Sequence, residues 1–308
     1  MQKKLKWVEI DVTTWADAKK KALSFGDGWV FRGHGDAGWR LATTLERART
    51  STPTDDERFL LLEFLRHAGA YLAPQLVPDD SDIFAWLGLM QHYGAPTRML
   101  DWTRSPYVGL FFALEEAVAG KRDAALWALD TAWCSRRSAE LLASQRLMDS
   151  NASRRRVTEE QRQLVGGLVA GLSVDCVFVV EPWKFHPRQA VQQSLFLCPG
   201  NVQRSFQENL LSMLTEEDKD PVLVKMVCSR TIRGEALEDL SRMNVSAATL
   251  FPGLDGYARS LRTTLVRDTP ALKALKRAAM GEPWRDISTK WKEAEGNGER
   301  VPGDTPSP

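Results

Sequence analysis

The sequence predicts an α+β fold in a single domain carrying a helical insertion. Three observations lead there. Hydrophobic periodicity switches repeatedly between the two-residue repeat of a strand and the 3.6-residue repeat of a helix. Several apolar runs are too short to be helices, and neither an internal repeat nor a clean linker divides the chain.

Taken in order, "LKWVEI" alternates as a strand, and "TTWADAKKKALSF" follows with Trp15, Ala18, Ala22 and Phe25 at helical spacing. "DGWVFRGHGDAGWRLATT" reads as a strand, a glycine-rich turn and a second strand. "DDERFLLLEFLRHAGAYL" is a long helix with acidic residues early, where the helix dipole favours them, and Pro74 and Pro78 close it. "SDIFAWLGLMQHYG" is a helix capped by Ser81 or Asp82 and stopped by Gly94 and Pro96. "TRMLDW" is a short strand, and "SPYVGLFFALEEAVAG" a helix with proline in its first turn. "AALWALD", "CVFVVEPW" and "PVLVKMVCS" are strands, and "RQAVQQSLFLCPG" is a longer one interrupted by glutamines. "GEALEDLSRM" and "SAATLFPGLDGYARSLRTTLV" are helical. The polar, arginine-rich stretch near residues 131–172 is the insertion. The domain spans 1–285, its first strand and helix forming an N-terminal extension, and the polar 286–308 tail is expected to be disordered.

Composition narrows the function classes. With 43% hydrophobic residues in 308 the chain can bury a sizeable core, and 41 Lys plus Arg against 40 Asp plus Glu leave no global demand for nucleic acid, membrane or an acidic substrate. Any anionic partner must be recognised locally. Cys134, Cys176, Cys198 and Cys228 show neither metal-type CxxC spacing nor a disulfide framework, so they read as reduced core residues. "MQKKLKWVEIDV" lacks the apolar core of a signal peptide, and no run approaches the ~20 apolar residues of a membrane span. Cytoplasmic location is the default expectation.

One stretch breaks the apolar pattern. "QHYGAPTRMLDWTRSPYVGLFFALEEA" places Arg98, Asp101, Trp102, Thr103 and Arg104 between two apolar patches. An unpaired buried charge is costly, so these residues are expected at a rim.

Four motifs in order, "VFRGHGDAGWRLATTLER", "LGLMQHYGAPTRMLDWTRSPYVGLFFAL", "RQAVQQSLFL" and "TLFPGLDGYARSL", resemble the FRG domain, a bacterial domain named for its Phe/Tyr-Arg-Gly motif. The resemblance runs from about Trp29 to Leu261. The motifs are also similar, less closely, to those of ADP-ribosyltransferases. There an arginine or histidine on an early strand holds NAD, a Ser-Thr-Ser-like motif ends a middle strand, and a later strand carries Gln/Glu-x-Glu. In that likeness Arg32 is the first element, Trp102-Thr103 the second, and Gln192 or Gln193 stands near the glutamate position. It implies a small split sheet, mixed and antiparallel, surrounded by helices, and a site that uses NAD as substrate.

The chemistry is coherent with that implication. Arg32 offers a forked guanidinium to a pyrophosphate, Gly33 a close backbone approach, His34 a donor to a ribose or amide, Trp102 a flat face and Thr103 a hydroxyl. Arg98 joins this binding set. Arg32, Gln193 and Asp101 are the candidate catalytic residues, with the 2′-hydroxyl held by Gln193. Glutamine can orient a ribose but cannot be a general base, so Asp101 is the nearest alternative within a motif.

Plainer roles stand beside these. Arg32 can pair Asp101 structurally, Asp101 can cap the helix at Pro106 or anchor Arg98, and Trp102 can be core. Arg136, Arg137, Arg154, Arg155 and Arg156 make a local positive surface that fits a nucleic-acid partner, or simply a solvated helix face. The functional expectation is an NAD-dependent ADP-ribosyltransferase-like toxin or phage-defence effector modifying RNA, DNA or protein, with a neutralising antitoxin as a further partner. The alternatives are a nucleotide or nucleic-acid sensor using the Arg32 pocket without chemistry, and an NAD glycohydrolase.

Overall fold

Seven strands form one mixed sheet among the described residues: β1 (Val8–Val12), β2 (Trp29–His34), β3 (Leu100–Thr103), β4 (Ala124–Asp130), β5 (Val177–Val180), β6 (Ser194–Pro199) and β7 (Leu223–Cys228). Their order is β1-β7-β4-β2-β3-β6-β5, with β1 and β7 parallel and every other neighbouring pair antiparallel. This computed structural model describes residues 7–48, 53–116, 122–146, 163–181, 187–218, 220–266 and 270–296. The chain divides into a body, residues 1–260, and a C-terminal unit, residues 261–308.

The sheet parts in the middle. β2 pairs β4 along its whole length, from Trp29↔Asp130 to His34↔Ala125, but meets β3 only at Phe31↔Thr103. Strands β1-β7-β4-β2 and β3-β6-β5 are therefore two blocks hinged at one residue pair. Beyond that pair the facing edges of β2 and β3 need other hydrogen-bond partners.

Helices cover both faces of the body: α1 (Trp15–Ser24), α2 (Thr44–Ala48), α3 (Pro53–Ala68), α4 (Ile83–His92), α5 (Pro106–Glu116), α6 (Thr131–Ser144), α7 (163–169), α8 (Pro187–Val191), α9 (Phe206–Ser212), α10 (Arg233–Arg242), α11 (Ala247–Leu250) and the start of α12 (Leu254–Val266). α5 lies directly on β2. A Cβ at Gly33 would stand 2.3 Å from both the Ala113 nitrogen and the Gly109 oxygen, and one at Gly109 would stand 2.9 Å from the Phe31 Cβ. Strand alternation puts Phe31 and Gly33 toward α5, and Val30, Arg32 and His34 on the other side. That other side holds the main core, which includes Trp86, Trp102, Trp127, Trp133, Phe196 and Phe206.

Several expectations change. No second strand follows the glycine-rich turn: Asp36 accepts from the Gly38 amide at 2.8 Å, and the chain continues into α2. The glutamine-interrupted strand is α8, a turn at Gln192-Gln193, and β6 starting only at Ser194. Proline favours the first turn of α8, and Gln193 at φ 48° breaks the extended run. The compact body runs to residue 260. In the C-terminal unit, α13 (Pro270–Ala279) is followed by α14 (Glu282–Gly296), so the tail expected to be disordered from 286 is helical through 296. Trp284, Ile287 and Trp291 recur at helical spacing inside that polar composition. The insertion contains α6 and α7, while its centre, with Arg154, Arg155 and Arg156, lies outside the described residues.

Among the described residues no helix is long and apolar enough to cross a membrane, and no cluster of His, Cys, Asp and Glu could hold a metal ion. All four cysteines are buried and free.

Candidate functional site

Arg32 stands where the sheet parts. Its Nη1 donates to the main-chain carbonyl of Asp101 at 2.6 Å, across the gap between β2 and β3, and its Nε donates to His34 Nε2 at 3.3 Å. No carboxylate forms an ion pair with it among the described residues. Burial pulls the guanidinium below its ordinary pKa, with the charges of Asp101 and Glu116 acting the other way. The result is a half-buried cation with donor capacity left over.

His34 is neutral. Burial, then the Arg32 charge, bring its pKa down to about 3. Because Nε2 accepts from Arg32, the ring proton belongs on Nδ1. Its ring packs edge-on against Trp39 and Trp127, with centroids 6.2 and 6.4 Å away.

The "QHYGAPTRMLDW" motif is a hydrogen-bonded support for Asp101. Asp101 Oδ2 accepts from Gln91 Nε2 at 2.5 Å, and Gln91 Oε1 accepts from the Thr97 hydroxyl. Thr97 is tied through its amide to Thr44 Oγ1 at 2.9 Å. The Asp101 carboxylate is thus held at the surface and acts electrostatically on Arg32 and on Arg188 of α8. Arg188 lies 4.4 Å from the centre of the Phe251 ring, which Arg259 also approaches at 4.2 Å. Glu115 holds Arg259 with two bonds of 2.7 and 2.6 Å. The neighbouring Glu116 is the last residue of α5 and lies beside Gly35. Loss of surrounding water raises its carboxyl pKa, while Arg32 and Arg259 pull it down.

Of the residues selected from the sequence, Arg32, His34 and Asp101 come together. The others lie elsewhere, most of them engaged in contacts within the fold. At Gly33 the space a side chain would take is filled by the backbone of α5. Arg98 is 1% exposed and paired with the fully buried Glu57 through Nε contacts of 2.8 and 3.0 Å, so neither a ligand nor Asp101 is its partner. Trp102 is 2% exposed, inside the core, and presents no face to a nicotinamide. The Thr103 hydroxyl donates to the Gln192 carbonyl at 2.7 Å and accepts from the Ser105 amide at 3.0 Å, which ties β3 to the turn before β6. Gln192 is buried, its Nε2 donating to the Leu250 carbonyl at 2.9 Å, whereas Gln193 is an exposed turn residue whose carbonyl accepts from the Arg104 amide at 3.0 Å. Ser105, rather than Asp101, contacts the first turn of α5, accepting from the Val108 amide. Arg136 is exposed, and Arg137 is engaged by Glu140 and the Met213 carbonyl.

Sequence reasoning missed Gln91, Glu116 and Arg188. A signal existed for Glu116: the acidic pair Glu115-Glu116 ends an otherwise apolar helix. Arg188 carried none, because its neighbourhood depends on the fold-back of Phe251.

No curated protein and no solved structure matches the chain. The family that the chain matches is the FRG domain, over residues 27–122, the stretch that supplies Arg32, His34, Gln91, Asp101 and Glu116.

Proposed function

We infer that the chain binds a phosphate-bearing nucleotide at Arg32, where the β2–β3 ladder ends, with NAD as the leading candidate. The observation that carries this is Arg32 itself: a half-buried guanidinium held by a carbonyl and a neutral imidazole, with Asp101 and Glu116 acting on it only through space and no carboxylate in direct contact with it among the described residues. A partly desolvated cation with no direct ion pair gains free energy when an anionic ligand supplies one. Arg188 stands by as a second cation, and the Phe251 ring holds its planar group from below.

ADP-ribosyl transfer is the second reading, in an ADP-ribosyltransferase-like fold. It is supported by the adjacency of the three motif-bearing strands β2, β3 and β6 and by Glu116 beside Arg32. In this reading Glu116, rather than the outlying Gln193, stabilises the positive charge that builds on the ribose as the nicotinamide bond breaks. A toxin or defence role, and any macromolecular acceptor, would follow from that chemistry.

Calorimetric titration with NAD, ADP-ribose and pyrophosphate tests the binding. Arg32→Gln should weaken NAD and ADP-ribose by about tenfold or more, the scale of a charge-assisted hydrogen bond. Absence of binding by all three at millimolar concentration would end the proposal. Nicotinamide release by the wild type that disappears in Glu116→Gln, with NAD affinity retained, would establish the transferase or glycohydrolase branch.

A further inference from the structure

A separate cleft opens at the other end of β2. It has a volume of about 490 Å³ and is lined by the end of α1, the turn before β2, and the β3–α5 connection. Cavities of this size hold ligands of roughly drug or nucleoside dimensions. Arg32, His34, Asp101 and Glu116 are not among its lining residues.

Its wall is aromatic. Phe25 lies against Trp29 with centroids 4.8 Å apart and a tilt of 43°, and against Phe31 at 5.7 Å in an edge contact. Trp29 and Phe31 point the same way because they are two apart on a strand. Phe25 and Trp29 are only partly buried, and no hydrogen bond engages the Trp29 indole N–H among the described residues. Two charged groups border this wall. Arg104 is paired with Glu181 at 2.5 Å, but both side chains are 45% exposed, so the pair contributes little and can be exchanged for another anion. Asp27, exposed in the turn, has no ion-pair partner among the described residues.

We propose that this cleft binds a planar heteroaromatic ring carrying an amino group and one anionic substituent, the chemistry of a purine nucleoside monophosphate. The ring lies on Phe25 and Trp29, Asp27 accepts from its amino group, and Arg104 turns from Glu181 to the anion. Aromatic stacking supplies affinity, and the two charges set orientation.

The test is a calorimetric titration of the full chain with AMP, adenosine and inorganic phosphate, repeated on Arg104→Gln, Trp29→Ala and Arg32→Gln. AMP should bind about tenfold more tightly than adenosine, a difference of ~1.4 kcal/mol. Arg104→Gln should weaken AMP while leaving adenosine unaffected, and in Arg32→Gln the Arg104-dependent advantage of AMP over adenosine should persist. Arg104 is exposed, so its replacement tests the site even if Trp29→Ala fails to fold. Failure of AMP and adenosine to bind at millimolar concentration would overturn the proposal. So would binding lost in Arg32→Gln but kept in Arg104→Gln, which would assign the nucleotide to the first cleft alone.

Discussion

The guanidinium of Arg32 donates to the main-chain oxygen of Asp101, not to its carboxylate. This bond bridges the two blocks of the sheet where the β2–β3 ladder has ended, and it leaves the Asp101 carboxylate to Gln91. Arg32 is therefore a clasp between strands, and the proposed function gives it a second role as a cation for a ligand.

The two roles separate in Arg32→Lys. A lysine keeps the charge but loses the planar fork, so it cannot serve the Asp101 carbonyl, His34 and a phosphate together. Nucleotide affinity should fall about tenfold or more, while stability falls by about 1 kcal/mol, the worth of one hydrogen bond. Titration calorimetry and urea denaturation of the same preparation read the two losses. A variant that binds NAD as tightly as the wild type would remove Arg32 from the binding role.

Gly33 is dictated by packing. A methyl group there would overlap the backbone of α5 at Gly109 and Ala113, and backbone cannot move aside as a flexible side chain can. Gly33→Ala should destabilise the protein by about 1–3 kcal/mol or more, as overpacking does. Denaturation midpoints measure this, and an unchanged midpoint would show that α5 is free to shift.

The Arg98–Glu57 pair offers a test of buried charge. Arg98→Met leaves the fully buried Glu57 carboxylate without its counter-ion and should cost about 3–5 kcal/mol. Adding Glu57→Leu should recover most of that loss, since well-packed apolar replacements of buried pairs are often neutral. Chemical denaturation of the single and double variants decides it, and additive losses would refute the interpretation.

His34 makes stability depend on pH. Its pKa is lowered from 6.5 to about 3 in the folded protein, so between these values the unfolded chain binds the proton and the folded one does not. The contribution is complete above pH 6.5, declines as the pH falls toward 3, and changes no further below that. Within the window the slope is at most about 1.4 kcal/mol per pH unit. Urea denaturation between pH 7 and 4 should show a shallower decline in His34→Gln than in the wild type. Equal slopes would mean that His34 is protonated in the fold.

What the sequence by itself determined was the inventory of elements. Apolar periodicity located β1, β3, β4, β7 and helices α1, α3, α4 and α5, because burying one face is a local demand that a strand or helix writes into its own repeat. The same demand marked Arg98 to Arg104 as anomalous, and four ordered motifs carried the likeness to the FRG domain. Which of those polar residues meet a ligand was not legible. Arg98 is hidden by Glu57, 41 positions away, Thr103 is engaged by Gln192, 89 positions away, and Glu116 lies near Arg32 only because α5 folds back onto β2. Such pairings depend on three-dimensional proximity between distant segments, and no local repeat encodes them. Tertiary structure alone separates a polar residue sealed inside the fold from one left partly exposed.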